Sequence, residues 1–354
     1  MSEDFFRNFV AELDDEDTSV ASDGLGAAEY GACIDTGSYI LNALLSGSLY
    51  GGVPNNKITA FAGESSTGKT FFVLGIVKHY LKNNPTAGVM YFDTEAAVTK
   101  KMMEDRGIDT RRVIISEPDT IEKFRHKAIT ALDKYAAADK DTRPPLLMVL
   151  DSLGMLSSNK EIGDTSAGKD TRDMTKPGLL RATFRTLTLK CAKAQVPMLV
   201  TNHVYAVIGS YVPMNEMSGG GGLKFAASII VGLSKKKDKD GTEIVGNLIR
   251  CRCMKSRVSK ENAEVQARLS YDSGLDRYYG LVELGEKYGV FKKVATRYEL
   301  PNGTKLYAKA MLENPEKYFT ADIMARLEEA AKKEFSYGTE EEGDGNEDSS
   351  TLAV

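Results

Sequence analysis

Residues 57–70 read KITAFAGESSTGKT, a short apolar stretch that runs directly into a glycine-rich loop. Gly63, Glu64, Ser65, Ser66, Thr67, Gly68, Lys69 and Thr70 fit the pattern G-x-x-x-x-G-K-[ST], with a strand pattern before it and a helix pattern after it. This constrains the fold more than any other feature. It requires a buried strand whose C-terminal end turns onto a helix N-terminus, where unpaired amides face phosphate oxygens. Lys69 is then the cation for the β- and γ-phosphates, and the Thr70 hydroxyl is a Mg²⁺ ligand.

The pattern continues as strand, helix, strand. KITAFAG, GVMYFDTE, RVIIS, LLMVLDS and PMLVTN are strand candidates, and helical stretches fall at about 69–83, 97–106, 120–136 and 177–194. Ile121, Phe124, Ala128, Leu132 and Tyr135 make one stripe of the third helix. Buried strands alternating with amphipathic helices predict an α/β fold with a mostly parallel sheet covered on both faces. Beyond it, ASIIVGLS, a polar turn KKKDKDGT and EIVGNLIRCRCMK read as an antiparallel hairpin, with VQARLSY as a further strand. From about Gly274 a small α+β segment follows: a helix LVELGEKYGVF, a hairpin around ELPNGTKLY and a closing helix near 320–335.

The ends differ from the body. SEDFFRNFVAEL places Phe5, Phe6, Phe9, Val10 and Leu13 on one helical stripe with Ser2 as N-cap, and DDEDTSVASDG follows as an acidic linker. So short a helix needs a surface to dock on, its own domain or a neighbouring subunit. The expected division is therefore 1–30 for helix and linker, 31–273 for the core, 274–337 for a small C-terminal domain, and 338–354 for a disordered acidic tail. Residues 1–20 carry −6 and residues 338–354 another −6, so residues 21–337 carry +8 although the whole chain is −4. A basic body with acidic ends can bind a polyanion.

No apolar run approaches the roughly 18 residues of a membrane span, and MSEDFFRNF lacks a basic signal-peptide start. The expectation is a soluble, cytoplasmic protein with no membrane partner. Cys33, Cys191, Cys251 and Cys253 are too few and badly spaced for a disulfide framework or a zinc site. Cys251 and Cys253 lie two apart in a strand pattern and share one face.

Two further strand ends carry acids. Asp151 closes LLMVLDS and is placed for the second Mg²⁺ contact, from what is expected to be the strand neighbouring the phosphate loop. YFDTEAA supplies Asp93 and Glu95, and Glu95 is positioned to polarise an attacking water. PMLVTN ends on Asn202-His203 and enters a long stretch closing on four glycines, far longer than a simple turn needs.

GESSTGKT, DTE, LLMVLDS, TNH and SGGGGLKFAAS, in this order, resemble the RecA family of strand-exchange ATPases, and most of all its branch in the T-even phages. DSLG, DMTK, QVP and MKSR extend the resemblance, which covers about residues 31–335, IDTGSYILNALL before the loop included. It implies a RecA-like P-loop ATPase core with a mostly parallel sheet plus an antiparallel hairpin, a short N-terminal polymerisation helix and a small α+β C-terminal domain. Its cofactors are ATP and Mg²⁺. Its partners are single- and double-stranded DNA, further copies in a helical filament, a single-strand binding protein and a recombination mediator or loader, in the cytoplasm of an infected bacterial host.

The resemblance also assigns residues. Glu95 corresponds to the catalytic glutamate, and His203 to the γ-phosphate sensor that is a glutamine in the bacterial branch. Lys255 and Arg257 match a cation pair that reaches a neighbour's ATP, on a strand face continuous with Cys251 and Cys253. The stretch 204–222, with Val204, Tyr205, Gly219, Gly220 and Gly221, matches one DNA-binding loop, and 157–176 the other. Both are expected to be disordered without DNA. Lys160, Lys169, Arg172, Lys176, Arg181 and Arg185 supply charge near the latter. Met102 stands where the family often stacks an aromatic on adenine, which is a departure. The competing readings are a hexameric helicase on the same core, against which the short N-terminal segment argues, and a RecA-like accessory protein with little turnover, against which Lys69, Thr70, Glu95 and Asp151 argue.

Overall fold

The structure, a computed structural model, describes residues 2–13, 18–23, 29, 31–169, 173–206, 215–218, 221–271 and 274–338. The acidic tail from 339 onward, and with it the expected tail disorder, lies outside the described residues. The chain opens with α1 (Ser2–Leu13), which starts at Ser2 itself, so Ser2 is part of the helix and not its cap. The stripe of α1 stands in solvent: Phe5, Phe6, Phe9 and Leu13 are all exposed, with Phe5 stacked on Phe9. Next come β1 (Cys33–Ile34), α2 (Tyr39–Ser46) and β2 (Val53–Pro54), β1 pairing antiparallel with β2 around a helix whose residues Ile40–Leu45 are all buried.

The core then alternates as the sequence predicts: β3 (Ile58–Gly63), α3 (Lys69–Asn83), β4 (Gly88–Asp93), α4 (Lys100–Glu104), β5 (Val113–Ser116), α5 (Ile121–Ala136) and β6 (Leu146–Asp151). Thr120 caps α5 by accepting the Lys123 amide, and Ile121, Phe124, Ala128 and Leu132 are its buried stripe. The helix expected over 97–106 is only α4, because Asp93 ties up the amides before it and Thr99 caps its start. Next are α6 (Asn159–Ser166), α7 (Lys176–Ala194), β7 (Met198–Ala206), β8 (Asn215–Met217) and α8 (Gly221–Ala226). β9 (Ile229–Asp240) and β10 (Glu243–Ser256) form the long hairpin, followed by β11 (Glu264–Ser270) and β12 (Gly274–Leu275).

KKKDKD is not the turn that its polarity indicates. Lys235–Asp240 stays in the ladder with β10, and the reversal falls at Gly241, whose φ of 63° suits glycine. The hairpin end is exposed on both faces, so charge there is no argument against a strand, and Asp238 pairs with Arg268. The last part holds α9 (Leu281–Lys287), β13 (Lys292–Val294), β14 (Arg297–Glu299), β15 (Lys305–Leu306), α10 (Ala308–Glu313), α11 (Pro315–Tyr318) and α12 (Ala321–Phe335). The helix expected through Phe291 stops at Lys287, just before Gly289 turns left-handed at φ 71°.

The large sheet runs β12-β11-β10-β9-β3-β7-β6-β4-β5, parallel from β9 to β5 and antiparallel from β9 to β12, with β8 added to β7. Alternation along each strand feeds two apolar layers. Phe61, Leu147 and Val149 face one with α2, α3, α9 and α12, while Ile58, Ala60, Met148 and Leu150 face the other with α5 and α7. β13, β14 and β15 form a separate antiparallel sheet. Among the described residues, no helix is long and apolar enough to cross a membrane.

Candidate nucleotide site and nucleic-acid interface

The site gathers at the C-terminal ends of β3, β7, β6 and β4. Gly63 ends β3 in register with His203 of β7 and Leu233 of β9. A side chain at Gly63 would meet the Leu233 carbonyl at 2.8 Å, so the first glycine of the loop is set by backbone approach. The loop folds on itself, with Thr67 Oγ1 donating to the Glu64 carbonyl at 2.6 Å and Ser66 left-handed at φ 59°. Lys69 is buried, and its Nζ donates to the carbonyls of Gly63 (3.0 Å) and Glu64 (2.9 Å). Burial lowers the ammonium's pKa, against the pull of Glu95 and Asp151. Lys235 of β9 donates its ammonium to the Ser66 carbonyl, a contact that no motif announces.

Asp93 and Glu95 divide their work. Asp93 accepts the amides of Glu95 (3.1 Å), Ala97 (3.4 Å) and Val98 (3.0 Å), so it shapes the loop that presents Glu95. Thr94 staples that loop to the tip of β6: its Oγ1 donates to the Ser152 carbonyl at 2.6 Å and accepts the Ser152 amide at 2.9 Å. Glu95 Oε1 accepts from Ser152 Oγ at 2.6 Å and lies 2.9 Å from His203 Nε2. Nδ1 of the same ring lies 3.4 Å from Lys69 Nζ. A neutral ring protonated at Nε2 satisfies both contacts, donating to Glu95 and accepting from Lys69. Burial pushes the Glu95 carboxyl up, but the hydrogen bonds from Ser152 and His203 and the nearby Lys69 charge outweigh it, leaving it below its ordinary value.

Asp151 is buried at the tip of β6, and the Asp151–Ser152 peptide bond is cis. β6 is not the neighbour of β3, as expected from sequence. β7 lies between them, so Asp151 approaches from two strands away. Sheet order depends on how the crossovers pack, which strand patterns alone leave open. Tyr91 donates to Asp151 Oδ2 at 2.8 Å, and the Thr201 hydroxyl donates to Oδ1. Each oxygen keeps a lone pair, and among the described residues Asp151 makes no ion pair. A buried, oriented carboxylate with no paired cation, across from the half-buried Thr70, fits a divalent cation held partly through water.

β7 does not stop at His203. It runs to Ala206 and is joined by β8, with Val204 opposite Met217 and Tyr205 opposite Glu216. Within the expected loop 204–222, the end of β7 and β8 pair as two arms and α8 starts at Gly221, while 207–214 lie outside the described residues. Two hydrogen bonds tie β7 to the return arm: Ser218 N donates to the His203 carbonyl (2.8 Å), and the Asn202 side chain donates through Nδ2 to the Ser218 carbonyl (2.9 Å). Tyr205 is exposed, and its ring stacks 6.4 Å from His203. Gly219 and Gly220 lie outside the described residues; Gly221 opens α8. A side chain at Gly222 would meet the Arg181 amide at 2.9 Å, so this glycine lets α8 lie on the backbone of α7.

The other expected loop, 157–176, contains α6, fixed by a capping box between Ser158 and Glu161. Asp173 anchors its far end: Oδ2 accepts from Ser158 Oγ at 2.5 Å, and Oδ1 accepts the Thr175 amide and hydroxyl at 2.8 and 2.7 Å. The hydrogen bonds from Ser158 and Thr175 lower its carboxyl to about 2. Lys160 sits 3.8 Å from Asp173, and Lys176 pairs with Glu161 at 2.9 Å. Lys169, Arg181 and Arg185 are exposed, the last two a helical turn apart on α7; Arg172 lies outside the described residues.

Lys255 and Arg257 sit down the sheet from Lys69: Lys255 pairs with Ile230, which pairs with mid-strand Ala60, and Arg257 is bonded to Ser228, which is bonded to Ile58 at the start of β3. They do not continue the face of Cys251 and Cys253 as expected. A bulge between Cys253 and Lys255 shifts the alternation, and Ser256 is buried instead. Lys255 Nζ donates to the carbonyls of Lys224 (2.8 Å), Phe225 (3.2 Å) and Ala227 (2.7 Å), and Arg257 reaches the Phe225 carbonyl at 3.5 Å. Phe225 itself is exposed. Lys57, missed by sequence reasoning, joins this group; burial and then Arg257 lower its pKa. Met102 is half-buried against the core at the start of α4.

A glycine-rich loop feeding a helix, with acids on two other strand tips of a mostly parallel sheet, defines the class of P-loop nucleotide-binding proteins. Comparison narrows it. The RecA N-terminal domain family matches residues 18–276. A recombination and repair protein of Enterobacteria phage T4 is 28% identical over 254 residues, 72% of this chain and 63% of the phage protein. Protein RecA of Streptomyces rimosus is 27% identical over 322 residues, covering 87% of this chain and 78% of that one. Protein RecA of Wolbachia from Brugia malayi is 29% identical over 305 residues, 84% and 80% respectively. The chain belongs to the RecA family. Its match spans less than two thirds of the T4 protein's length.

Proposed function

We propose that this chain is a DNA-dependent ATPase that polymerises on single-stranded DNA and catalyses homologous pairing and strand exchange in phage recombination, repair and recombination-dependent replication. The observation that carries this reading is the line from Lys69 through His203 to the β7–β8 hairpin. One imidazole touches the phosphate-loop lysine and the general-base carboxylate, and its own carbonyl is bonded to the return arm of the hairpin. A triphosphate that draws Lys69 away from the Gly63 and Glu64 carbonyls must disturb the His203 contacts. The disturbance passes to a segment flanked by exposed Tyr205 and the arginines of α7.

Thr70 and Asp151 would hold Mg²⁺, which would neutralise charge on the phosphates. Glu95, kept ionised by its hydrogen bonds, orients and deprotonates the attacking water. Lys255 and Arg257 lie too far down the sheet to serve their own Lys69 and act on the next subunit's nucleotide. The exposed stripe of α1, the exposed Phe225, and β5 at the sheet edge with Ile114 and Ile115 exposed are the surfaces on which a filament would form. Single- and double-stranded DNA are the polymeric partners, a single-strand binding protein and a loader the protein partners, and the host cytoplasm the compartment. The core boundaries are taken as 31–273, with 274–337 a small domain and 338–354 a tail. ATP hydrolysis measured with and without single-stranded DNA, beside negative-stain imaging, tests the reading. Stimulated turnover with helical filaments supports it; rings, or turnover indifferent to DNA, overturn it.

A further inference from the structure

Phe71 and Phe72 follow Thr70 on the first turn of α3 and have opposite fates. Phe72 is buried at 1% exposure in the core, whereas Phe71 is 38% exposed. An exposed aromatic directly after the residue that would ligate Mg²⁺ is not explained by packing. Its ring is covered on one side by Arg106, whose guanidinium carbon lies 4.3 Å from the ring centroid. Arg106 comes from the turn after α4, and its Nη1 donates to the Met102 carbonyl at 2.9 Å, which fixes the plane of the guanidinium. Among the described residues, Arg106 pairs with no carboxylate. A planar cation is thus held against an aromatic ring at the mouth of the phosphate loop, with apolar surface left open.

We infer that the Phe71–Arg106 pair is the stacking platform for the purine base of the bound nucleotide, in place of an aromatic at Met102. The inference rests on the reading of this site as an ATP site and adds the residues that recognise the base. The phosphates must lie against the amides of the first turn of α3, so the nucleoside extends outward past that turn. Met102 is half-buried against the core and offers an edge without a flat face. With the guanidinium over one face of the ring, the outer face of the stack remains a planar surface that a purine can cover, through stacking and through attraction of its π-face to the cation. Base recognition here relies on stacking, so the platform favours purines over pyrimidines and discriminates little between adenine and guanine.

The chain contains no tryptophan, so Phe71→Trp creates a single reporter at the platform. In full-length protein without DNA, ADP and ATP are expected to quench its emission, while inorganic triphosphate, bound through the same loop, leaves it unchanged. Phe71→Leu should weaken ATP and ADP about 10-fold, a loss of about 1.4 kcal/mol, and keep inorganic triphosphate within about 2-fold, stacking being worth this much per base. Arg106→Gln should show the same selectivity with a smaller loss. Equal losses for ATP and inorganic triphosphate would assign the pair to holding α4 against α3, and equal quenching by both would likewise overturn the platform. Wild-type protein that binds neither ligand would instead remove the ATP site itself, a result distinct from either.

Discussion

His203 Nε2 lies 2.9 Å from Glu95 Oε1, on the carboxylate oxygen that Ser152 Oγ also reaches at 2.6 Å. The residue expected to sense the phosphate therefore restrains the residue expected to activate water. With two donors on one oxygen, Glu95 is oriented but partly neutralised as a base. On the proposed reading, hydrolysis would have His203 turn toward the phosphate and leave Glu95 to the water.

Glu95→Gln follows directly. The amide still fits between Ser152 and His203 but cannot take a proton, so hydrolysis should fall about 100-fold or more while ATP and DNA binding persist. Steady-state turnover beside equilibrium nucleotide binding checks this. Unchanged turnover would take Glu95 out of the reaction.

Stability carries its own signature of the same carboxylate. The folded pKa of Glu95 lies below its ordinary 4.5, so its charged form stabilises the fold above that value, and the contribution disappears as pH falls through the depressed one. The melting temperatures of wild type and Glu95→Gln should differ near pH 7 and converge as pH falls from 4.5 through the depressed value. A gap that stayed constant across that range would mean that the carboxylate gains nothing from Ser152, His203 and Lys69.

His203→Ala should weaken the tie between nucleotide and DNA more than it weakens nucleotide binding. Ser218 is bonded to the His203 carbonyl and to the Asn202 side chain, so β8 remains attached to β7 while the ring proposed to sense the phosphate is gone. DNA affinity measured with and without ATP decides the matter. Equal gains on adding ATP to mutant and wild type would leave the ring without a coupling role.

How far such relationships could be read beforehand depended on their sequence range. GESSTGKT fixed β3, the loop and α3 because strand, turn and helix are contiguous, and the alternating patterns located the other parallel strands. The capping box of α6, Ser158 with Glu161, was equally local and yet lay hidden in a stretch whose glycines and charges resemble a loop. Strand order was not local: nothing in LLMVLDS states that β7 separates it from β3. Nor does MKSR show the bulge that turns Lys255 off the cysteine face. Ser152 could have been noticed as the neighbour of Asp151, but its bond to Glu95 exists only when β4 and β6 lie side by side. The role of Asp173 likewise required the fold.

Lys255 and Arg257 make a prediction about assembly. They lie down the sheet from Lys69, so on the proposed reading they would stabilise charge on another subunit's γ-phosphate. Mixing Lys255→Ala with Glu95→Gln chains should restore part of the hydrolysis that each lacks alone, because some mixed interfaces combine an intact Glu95 with an intact Lys255. Absence of recovery at every ratio, with co-assembly verified, would argue that Lys255 supports its own subunit.

Asp173 supplies the last test, on the segment 157–176 proposed to face DNA. Its carboxylate accepts from Ser158 and Thr175 and stands beside Lys160, closing the segment that α6 begins onto the start of α7. Asp173→Ala leaves the Ser158 hydroxyl and the Thr175 amide to find other partners, and unties the start of α6 from the start of α7. ATP binding should be unaffected, because Asp173 lies outside the phosphate loop and makes no contact with Glu95, Asp151 or His203 among the described residues. Affinity for single-stranded DNA should drop about 10-fold, as the ordering that the native anchor supplies in advance must then be met on binding. Limited proteolysis should cut within 159–176 faster than in wild type. Asp173→Asn, which keeps an acceptor for Thr175, should fall between the two. Because the carboxyl titrates near 2, protection of this segment in the wild type should hold down to pH 4. Protection lost already at pH 5, or Asp173→Ala protein with native protease resistance and DNA affinity, would show that the segment is held by α6 and α7 alone.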